Sequence, residues 1–275
     1  MRLFRGHIGA LREAGLLLTR HRGLTFEMAR REVSDRYAGQ AFGILWAVGH
    51  PMFMTGLYVF IFGVVFKTKL GGTFEMPLDY TAYILSGLIP WMAFQDSMNR
   101  SCIAVTANAS LVKQVVFPLE VLPAKGVIAS LLPQLVSTTI LIAYVLVVDK
   151  VLLATYSVLP VLMFLQILAM LGASYLLSAV GAYFRDIKDL VQLFCMAGVY
   201  LVPVVYLPDW TPSIFKPVLY LNPFSYPVWC YQDALYFGRF EHPWAWVVNS
   251  FLSIAVFVSG YRVFRRLKPG FGNTL

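Results

Sequence analysis

Asn108 to Lys125 reads NASLVKQVVFPLEVLPAK, a stretch apolar enough to be drawn toward a membrane yet too interrupted to cross one. Its longest uncharged run, Gln114 to Leu119, is broken by Pro118 and flanked by Lys113 and Glu120, whereas a span needs roughly 20 predominantly apolar residues. Val112, Val115 and Val116 recur at i, i+3 and i+4, so a short helix here presents one greasy face and one polar face carrying Lys113 and Gln114. Long apolar runs lie on either side. The stretch reads as a cytoplasmic elbow between two spans, offered to the bilayer surface, to the protein's own mouth or to a partner; a connecting loop that is merely apolar is the alternative.

Working outward, composition places the whole chain in the same setting. Of its 275 residues, 59% are hydrophobic and 13% charged, and the mean hydropathy is +0.68, outside the range of ordinary soluble domains. The formal charge of +8 does not indicate nucleic acid, because the basic residues gather at the termini and in short loops between apolar runs, where they act as topology signals and lipid-surface anchors. Cys102, Cys195 and Cys230 are far apart, with no C-x-x-C pair and no neighbouring His, so buried free thiols are expected rather than a disulfide framework or a metal site. No cleavable signal peptide is visible, and the first span is expected to do the targeting.

Six apolar runs follow the basic N-terminal segment: Phe42 to Phe66, Tyr80 to Met98, Val121 to Val148, Val151 to Phe184, Leu190 to Leu207 and Trp244 to Tyr261. Each can cross a hydrocarbon core of about 30 Å. With the N-terminus inside, seventeen Lys and Arg fall on inner segments and five on outer ones, a clear positive-inside bias. Residues 1–38 are basic and helical in pattern, with Phe26, Ala29, Val33 and Tyr37 on one face; the reading is an in-plane interfacial helix, with a solvated rim helix as the alternative. The segment PVLYLNPFSYPVWCY carries Pro217, Pro223 and Pro227, and three prolines so close forbid one straight helix. Two short half-helices dipping back from the outer face are expected, with a cavity near Asn222. The expected fold is therefore all-α, a polytopic membrane protein with six transmembrane helices, an N-terminal amphipathic interface helix and re-entrant half-helices before the last span. It forms a single transmembrane domain over 1–275: cytoplasmic segment 1–41, spans one to five in 42–207, periplasmic gate in 208–243, and the last span with its cytoplasmic tail in 244–275.

Absences narrow the function. No glycine is followed by Lys, so a Walker A phosphate loop is not present and energy from ATP must come from another chain. No G-x-S-x-G, H-E-x-x-H or kinase-like set is present either. Of the four histidines only His50 falls in a span, beside Pro51, where a helix-end hydrogen bond accounts for it. Asp96 stands four residues before Arg100, so an i,i+4 pair explains both without a proton relay. Aromatics are in excess, with 21 Phe, 15 Tyr and 6 Trp. Trp46, Phe53, Phe60 and Phe62 in the first span, and Tyr83, Trp91 and Phe94 in the second, are dense enough to line a pathway on which sugar rings rest by their C–H faces; core packing is the competing role. Gly39 and Gly43 form a small-xxx-small pair that permits close helix approach.

Five segments together carry a family resemblance: SDRYAGQAFGILWAVGHPMF (Ser34 to Phe53), GLIPWMAFQDSMNRS (Gly87 to Ser101), NASLVKQVVFPLEVLP (Asn108 to Pro123), AYFRDIKDL (Ala182 to Leu190), and PVVYLPDW with YLNPFSYP toward the end. The chain resembles the membrane subunits of type 2 ABC exporters in the branch that moves lipid-linked polysaccharides, and NASLVKQVVFP with LNPF looks more like the O-antigen exporters than the capsule ones. The resemblance implies a homodimer of six-span subunits in the bacterial inner membrane, both termini cytoplasmic, enclosing a channel for undecaprenyl-linked polysaccharide and docked on two copies of a separate ATPase subunit. ATP and Mg would be bound by that partner, leaving this chain with no cofactor, no metal and no catalytic residue. By the same resemblance Asn108, Lys113 and Phe117 belong to the cytoplasmic entrance. Arg30, Arg31, Asp35 and Arg36 with Arg185 and Asp186 would meet the ATPase, and Leu221, Asn222, Pro223 and Tyr226 would form the periplasmic gate. Competing classes are a capsule, drug or small-lipid exporter of the same fold, and a membrane-embedded transferase that would rely on His50, Asp96 or Asp233.

Overall fold

The structure, a computed structural model, describes residues 20–65, 77–113, 117–208 and 211–274. Among the described residues there is helix and turn and no strand. Part of the opening stretch, residues 114–116, lies outside them.

Helix α1 (Arg22–Arg36) leads to α2 (Trp46–Val59), which follows a 3-10 turn at Gly43–Leu45 and runs into a π-helical turn at Phe60–Val65. Then come α3 (Tyr80–Ile103), the short α4 (Ala109–Val112), α5 (Val121–Val148), and α6 (Leu159–Tyr183) entered through a 3-10 turn at Ala154–Val158. Helix α7 (Ile187–Gly198) precedes two short helices, α8 (Lys216–Leu221) and α9 (Ser225–Gln232), the latter ending in a π-helical turn at Asp233–Phe237. The chain closes with α10 (Pro243–Leu267) and, after a turn, α11 (Phe271–Thr274).

Among the described residues four helical stretches are long and apolar enough to cross a membrane: Gly43–Val65, Val121–Val148, Ala154–Tyr183 and Pro243–Gly270. Helix α3 has the length, about 36 Å at 1.5 Å per residue, but Gln95, Asp96, Asn99 and Arg100 lower its hydropathy. It is the central helix, buried along most of its surface. Its start is fixed by Asp79, whose carboxylate accepts the Ala82 N–H at 3.0 Å and the Tyr144 hydroxyl at 2.6 Å.

The expected span from Leu190 to Leu207 is not one helix. Helix α7 stops at Gly198 and the rest of the run is turns, because Pro203 cannot supply the N–H a continuing helix needs. The freed backbone is satisfied from neighbouring helices: the Pro203 carbonyl accepts from Gln232 Nε2 at 2.7 Å and from the Tyr83 hydroxyl at 3.3 Å.

The core is built in two clusters. One holds Phe94, Met98, Leu122, Tyr175, Phe257 and Phe264; the other holds Tyr83, Trp91, Leu141, Leu162, Trp229 and Tyr236, and Phe224 packs against both. A polar knot joins the helices between them. Gln134 and Gln166 exchange amide bonds at 2.7 and 3.1 Å, Tyr231 bonds to both, and Gln166 Nε2 donates to the Pro90 carbonyl. The most extensive helix pairing is α6 on α10, and its backbones touch where Gly172 meets Gly260. The pair Gly39 and Gly43 does not pack helices: both take positive φ, 78° and 49°, and a Cβ on either would meet nothing, so they turn the chain between α1 and α2.

Both described ends of the chain lie at the same end of the bundle. Glu32 of α1 pairs with Lys125 at 3.0 Å and Lys268 pairs with Glu120 at 2.7 Å, both at the start of α5, while the Tyr183 hydroxyl donates to the Leu267 carbonyl at 3.0 Å. At the opposite end Thr155 bonds the Ala234 carbonyl and Tyr236 the Leu78 carbonyl.

Candidate functional site

Helix α1 is held by charge rather than by grease. Thr25, Ala29, Glu32 and Arg36 form one stripe at helical spacing; the first two are buried and the last two reach into α3 and α5. Of the face expected to be apolar, Phe26 is 64% exposed and Ala29 buried, and Val33 and Tyr37 lie half-buried beside the stripe. Arg36 meets Asp96 at 3.1 Å, Arg100 meets Asp96 at 2.9 Å and Glu32 at 3.1 Å, and Lys125 closes the chain of pairs on Glu32. Burial alone would push the Glu32 carboxyl up, but the hydrogen bond and charge of Lys125, joined by Arg100, outweigh it and hold the group below its ordinary value. The i,i+4 pair expected of Asp96 and Arg100 is present and is the middle of this larger network.

Lys125 also reaches Asn108, whose side-chain oxygen accepts at 3.4 Å while its amide donates to the Ala104 carbonyl at 2.8 Å. The elbow is thereby tied to α5. Val112 is buried, Phe117 packs partly against the core, and Lys113 is exposed. A cavity of about 220 Å³ lies here, lined by Glu32, Arg100, Asn108 and Lys125. Of the residues expected at an ATPase contact, Arg30, Arg31, Asp35, Arg185 and Asp186 are exposed, whereas Arg36 is engaged inward.

The aromatics divide into two sets. Trp46, Phe53 and Phe60 on the first long stretch are 37%, 65% and 53% exposed, and Phe62 stacks partly buried against Tyr58. Tyr83, Trp91 and Phe94, by contrast, are packed inside the chain. Tyr83 is edge-on to Tyr236 at 5.2 Å, and Trp91 and Phe94 are edge-on to Phe224 at 5.5 and 5.7 Å.

That contact defines the paired short helices. The turn from α8 to α9, at Asn222 to Phe224, sits beside the middle of α3, while α9 returns to the end of the bundle where Asp233 lies. Asn222 organises the turn, its amide donating to the Leu201 carbonyl at 2.9 Å and its oxygen accepting the Phe224 N–H at 3.0 Å. Tyr226 donates to the Tyr220 carbonyl at 2.6 Å, and Leu221 and Pro223 are exposed. A cavity of about 320 Å³ adjoins the turn, lined by Tyr200, Leu201, Tyr206, Phe215 and Val218 among others.

Asp233 lies apart from His50 and Asp96, which line one cavity. Asp96 is committed to the ion network, and the buried Asp233 carboxylate accepts from the His242 N–H and ring and from Trp246 Nε1, at 2.8 to 3.0 Å. Sequence reasoning missed the Glu32–Lys125 pair, the Gln134–Gln166–Tyr231 knot and the Asp233–His242–Trp246 cluster. Each joins residues distant in the chain or separated by a turn, for which one sequence holds no periodic signal.

Residues 24–236 match the family described as ABC-2 type transporter. The chain is 26% identical over 249 residues, 90% of its own length and 93% of the relative's, to the O-antigen export system permease protein RfbA of Klebsiella pneumoniae. A protein of the same name from Myxococcus xanthus is 24% identical over 262 residues, covering 94% and 97% of the two chains. The polysialic acid transport protein KpsM of Escherichia coli is 21% identical over 207 residues, 74% of this chain and 78% of that one.

Proposed function

The chain belongs to the ABC-2 type transporter family, and from that premise we propose that it is the channel-forming permease subunit of an ATP-driven exporter carrying undecaprenyl-linked polysaccharide from the cytoplasmic to the periplasmic side. The observation that carries this reading is similarity over nine-tenths of the chain to O-antigen export permeases. O-antigen is favoured over capsule because the capsule-type relative matches less of the chain at lower identity. The chain has no phosphate loop, so hydrolysis belongs to a separate ATPase subunit, two copies of which would serve a homodimer, and this subunit is not itself an enzyme.

In this reading the chain crosses the inner membrane six times, the four long apolar stretches being joined by α3 and by α7 with its following turns. Both termini face the cytoplasm, in keeping with the inward bias of Lys and Arg and with the ties of α1 and Lys268 to one end of α5. Helices α8 and α9 form a re-entrant hairpin from the periplasmic face, its turn closed by the Phe224 N–H on Asn222, while Asn222, Tyr83 and Gln232 satisfy the Leu201 and Pro203 carbonyls of the broken stretch before it. Its turn, Leu221 to Tyr226, is the outer gate. Exposed Trp46, Phe53 and Phe60 are the aromatics assigned to the glycan path, and Tyr83, Trp91 and Phe94 are assigned to holding the gate hairpin. The elbow with Asn108, Lys113 and Phe117 forms the entrance, and Arg30, Arg31, Asp35, Arg185 and Asp186 the docking surface for the ATPase.

Deletion of this chain tests the reading: surface polysaccharide should be lost while its lipid-linked precursor accumulates inside, and affinity purification should bring down an ATPase subunit. Drug sensitivity with intact surface polysaccharide, or transport by the purified chain with no second polypeptide, would refute it.

A further inference from the structure

A cavity of about 430 Å³ lies between α2, α3 and α5, within the size range of ligand sites. Helix α2 packs on α5 through the small or compact Ala47, Pro51 and Thr55, the last donating to Ser137 at 2.9 Å, and it touches α3 only sparingly. The gap so left is a slot along α3. Leu85, Leu88, Ile89, Met92, Gln95 and Asn99 succeed one another on its wall at helical spacing, about 21 Å from first to last at 1.5 Å per residue.

The slot is amphiphilic end to end. Toward the α1 end its wall carries Arg36, His50, Gln95, Asp96 and Asn99; deeper in, Met54, Leu85, Leu88 and Met92 make it apolar. The polar end is rich in donors, and Arg36 Nε is buried there without a hydrogen-bond partner, an unmet donor that normally finds an acceptor. Charge identifies the acceptor. The ion network around the slot and its neighbouring cavity holds three cations, Arg36, Arg100 and Lys125, against two carboxylates, Glu32 and Asp96, so one positive charge is left over.

We propose that this slot holds one phospholipid from the membrane leaflet at the α1 end, its singly charged phosphodiester headgroup on Arg36, His50, Gln95 and Asn99 and one acyl chain along Met92, Leu88 and Leu85. A phosphodiester with no cationic substituent, net charge −1, balances the surplus and accepts the guanidinium bond, whereas a choline-bearing one brings its own cation and leaves the surplus unmatched. A diphosphate would overload it beside Asp96. The bound lipid fills the space between α2 and α3 and so fixes how far the first span stands from the core. The site depends on the membrane setting alone, and its test is independent of what is exported.

Native mass spectrometry of the full-length chain in detergent, with dioleoyl phosphatidylglycerol, dioleoyl phosphatidylcholine or undecaprenyl diphosphate added, tests the assignment. One phosphatidylglycerol per chain is expected, held roughly tenfold more tightly than phosphatidylcholine. Asn99→Asp, which cancels the surplus charge, should abolish that preference, and Met92→Trp, which fills the slot, should remove both lipids. Should Met92→Trp fail to fold, as judged by gel filtration, Asn99→Asp alone decides. Equal retention of the two phospholipids by the unmodified chain, or a preference that survives Asn99→Asp, would overturn the proposal. Tighter binding of undecaprenyl diphosphate than of phosphatidylglycerol would overturn the match to a single negative charge.

Discussion

Gly172 and Gly260 meet backbone to backbone: a Cβ built on Gly260 would stand 1.9 Å from the Gly172 carbonyl oxygen, and one built on Gly172 2.4 Å from the Val256 carbonyl oxygen. No rotamer relieves such a clash, because the obstructing atoms belong to the main chain. Helices α6 and α10 can pack this closely only while both positions lack a side chain.

Gly260→Ala should therefore force α6 and α10 apart. The expected cost is about 1–3 kcal/mol, read as a lower unfolding midpoint of the detergent-solubilised chain. An alanine at Gly56, where an added Cβ would meet nothing, should leave the midpoint nearly unchanged and serves as the control.

Glu32→Gln should loosen α1. The folded-state pKa of Glu32 is depressed, so its contribution to stability is complete above its ordinary value and is lost as pH falls through the lower folded value. With an unfolded pKa near about 4.3, protection of α1 backbone amides from hydrogen exchange should be full above about pH 5 and decline below about pH 4. The Gln variant should show weak protection across that range. Unaltered protection in the variant would mean that the buried Thr25 and Ala29 with the Arg36–Asp96 pair hold α1 without Glu32.

Asn222→Ala removes two bonds that set the turn between α8 and α9, to the Leu201 carbonyl and from the Phe224 N–H. Each neutral bond is worth about 0.5–1.5 kcal/mol net, a modest loss for the fold and a large one for a short hairpin. The expected phenotype is assembly at near-normal levels with impaired polysaccharide export, checked by membrane abundance alongside surface glycan. Asn222→Asp retains the acceptor for Phe224 but not the donor and should fall between the two.

Phe271 anchors the C-terminal turn. It is buried against Phe264 at 5.4 Å and Tyr183 at 6.1 Å, and Phe271→Ala should cost about 3–5 kcal/mol, seen as faster proteolysis of the tail and a lower unfolding midpoint. Lys268→Met, which leaves Glu120 buried without its cation, should weaken the same tail without touching the aromatic packing.

How much of this was legible in the chain follows from what each element depends on. Helix α5 runs from Val121 to Val148, the bounds of its apolar run, because a predominantly apolar stretch of that length, with its one charge, Lys125, in the first turns, has one stable outcome in lipid. The broken helices around Asn222 were legible from three prolines, and Asp96 with Arg100 from their spacing on one helix. The end of α7 was missed although Pro203 marks it, because the apolar run continues past Gly198 and hydropathy does not register a lost N–H donor, while Tyr83 and Gln232, distant in the chain, satisfy the Pro203 carbonyl. The aromatics of α3 were equally silent: that helix is buried along most of its surface, so no periodicity marks which rings face a path and which pack. Pairings such as Glu32 with Arg100, 68 positions apart, leave no trace in a single sequence.

The first turns of α5 receive a tether from each extremity of the described chain, Lys125 from the leading helix and Glu120 from the trailing turn. Both extremities are thereby gathered on one helix. The first turns of that helix and, past Pro133, its Gln134 bond to Tyr231 connect the two tethers to the hairpin through a single element.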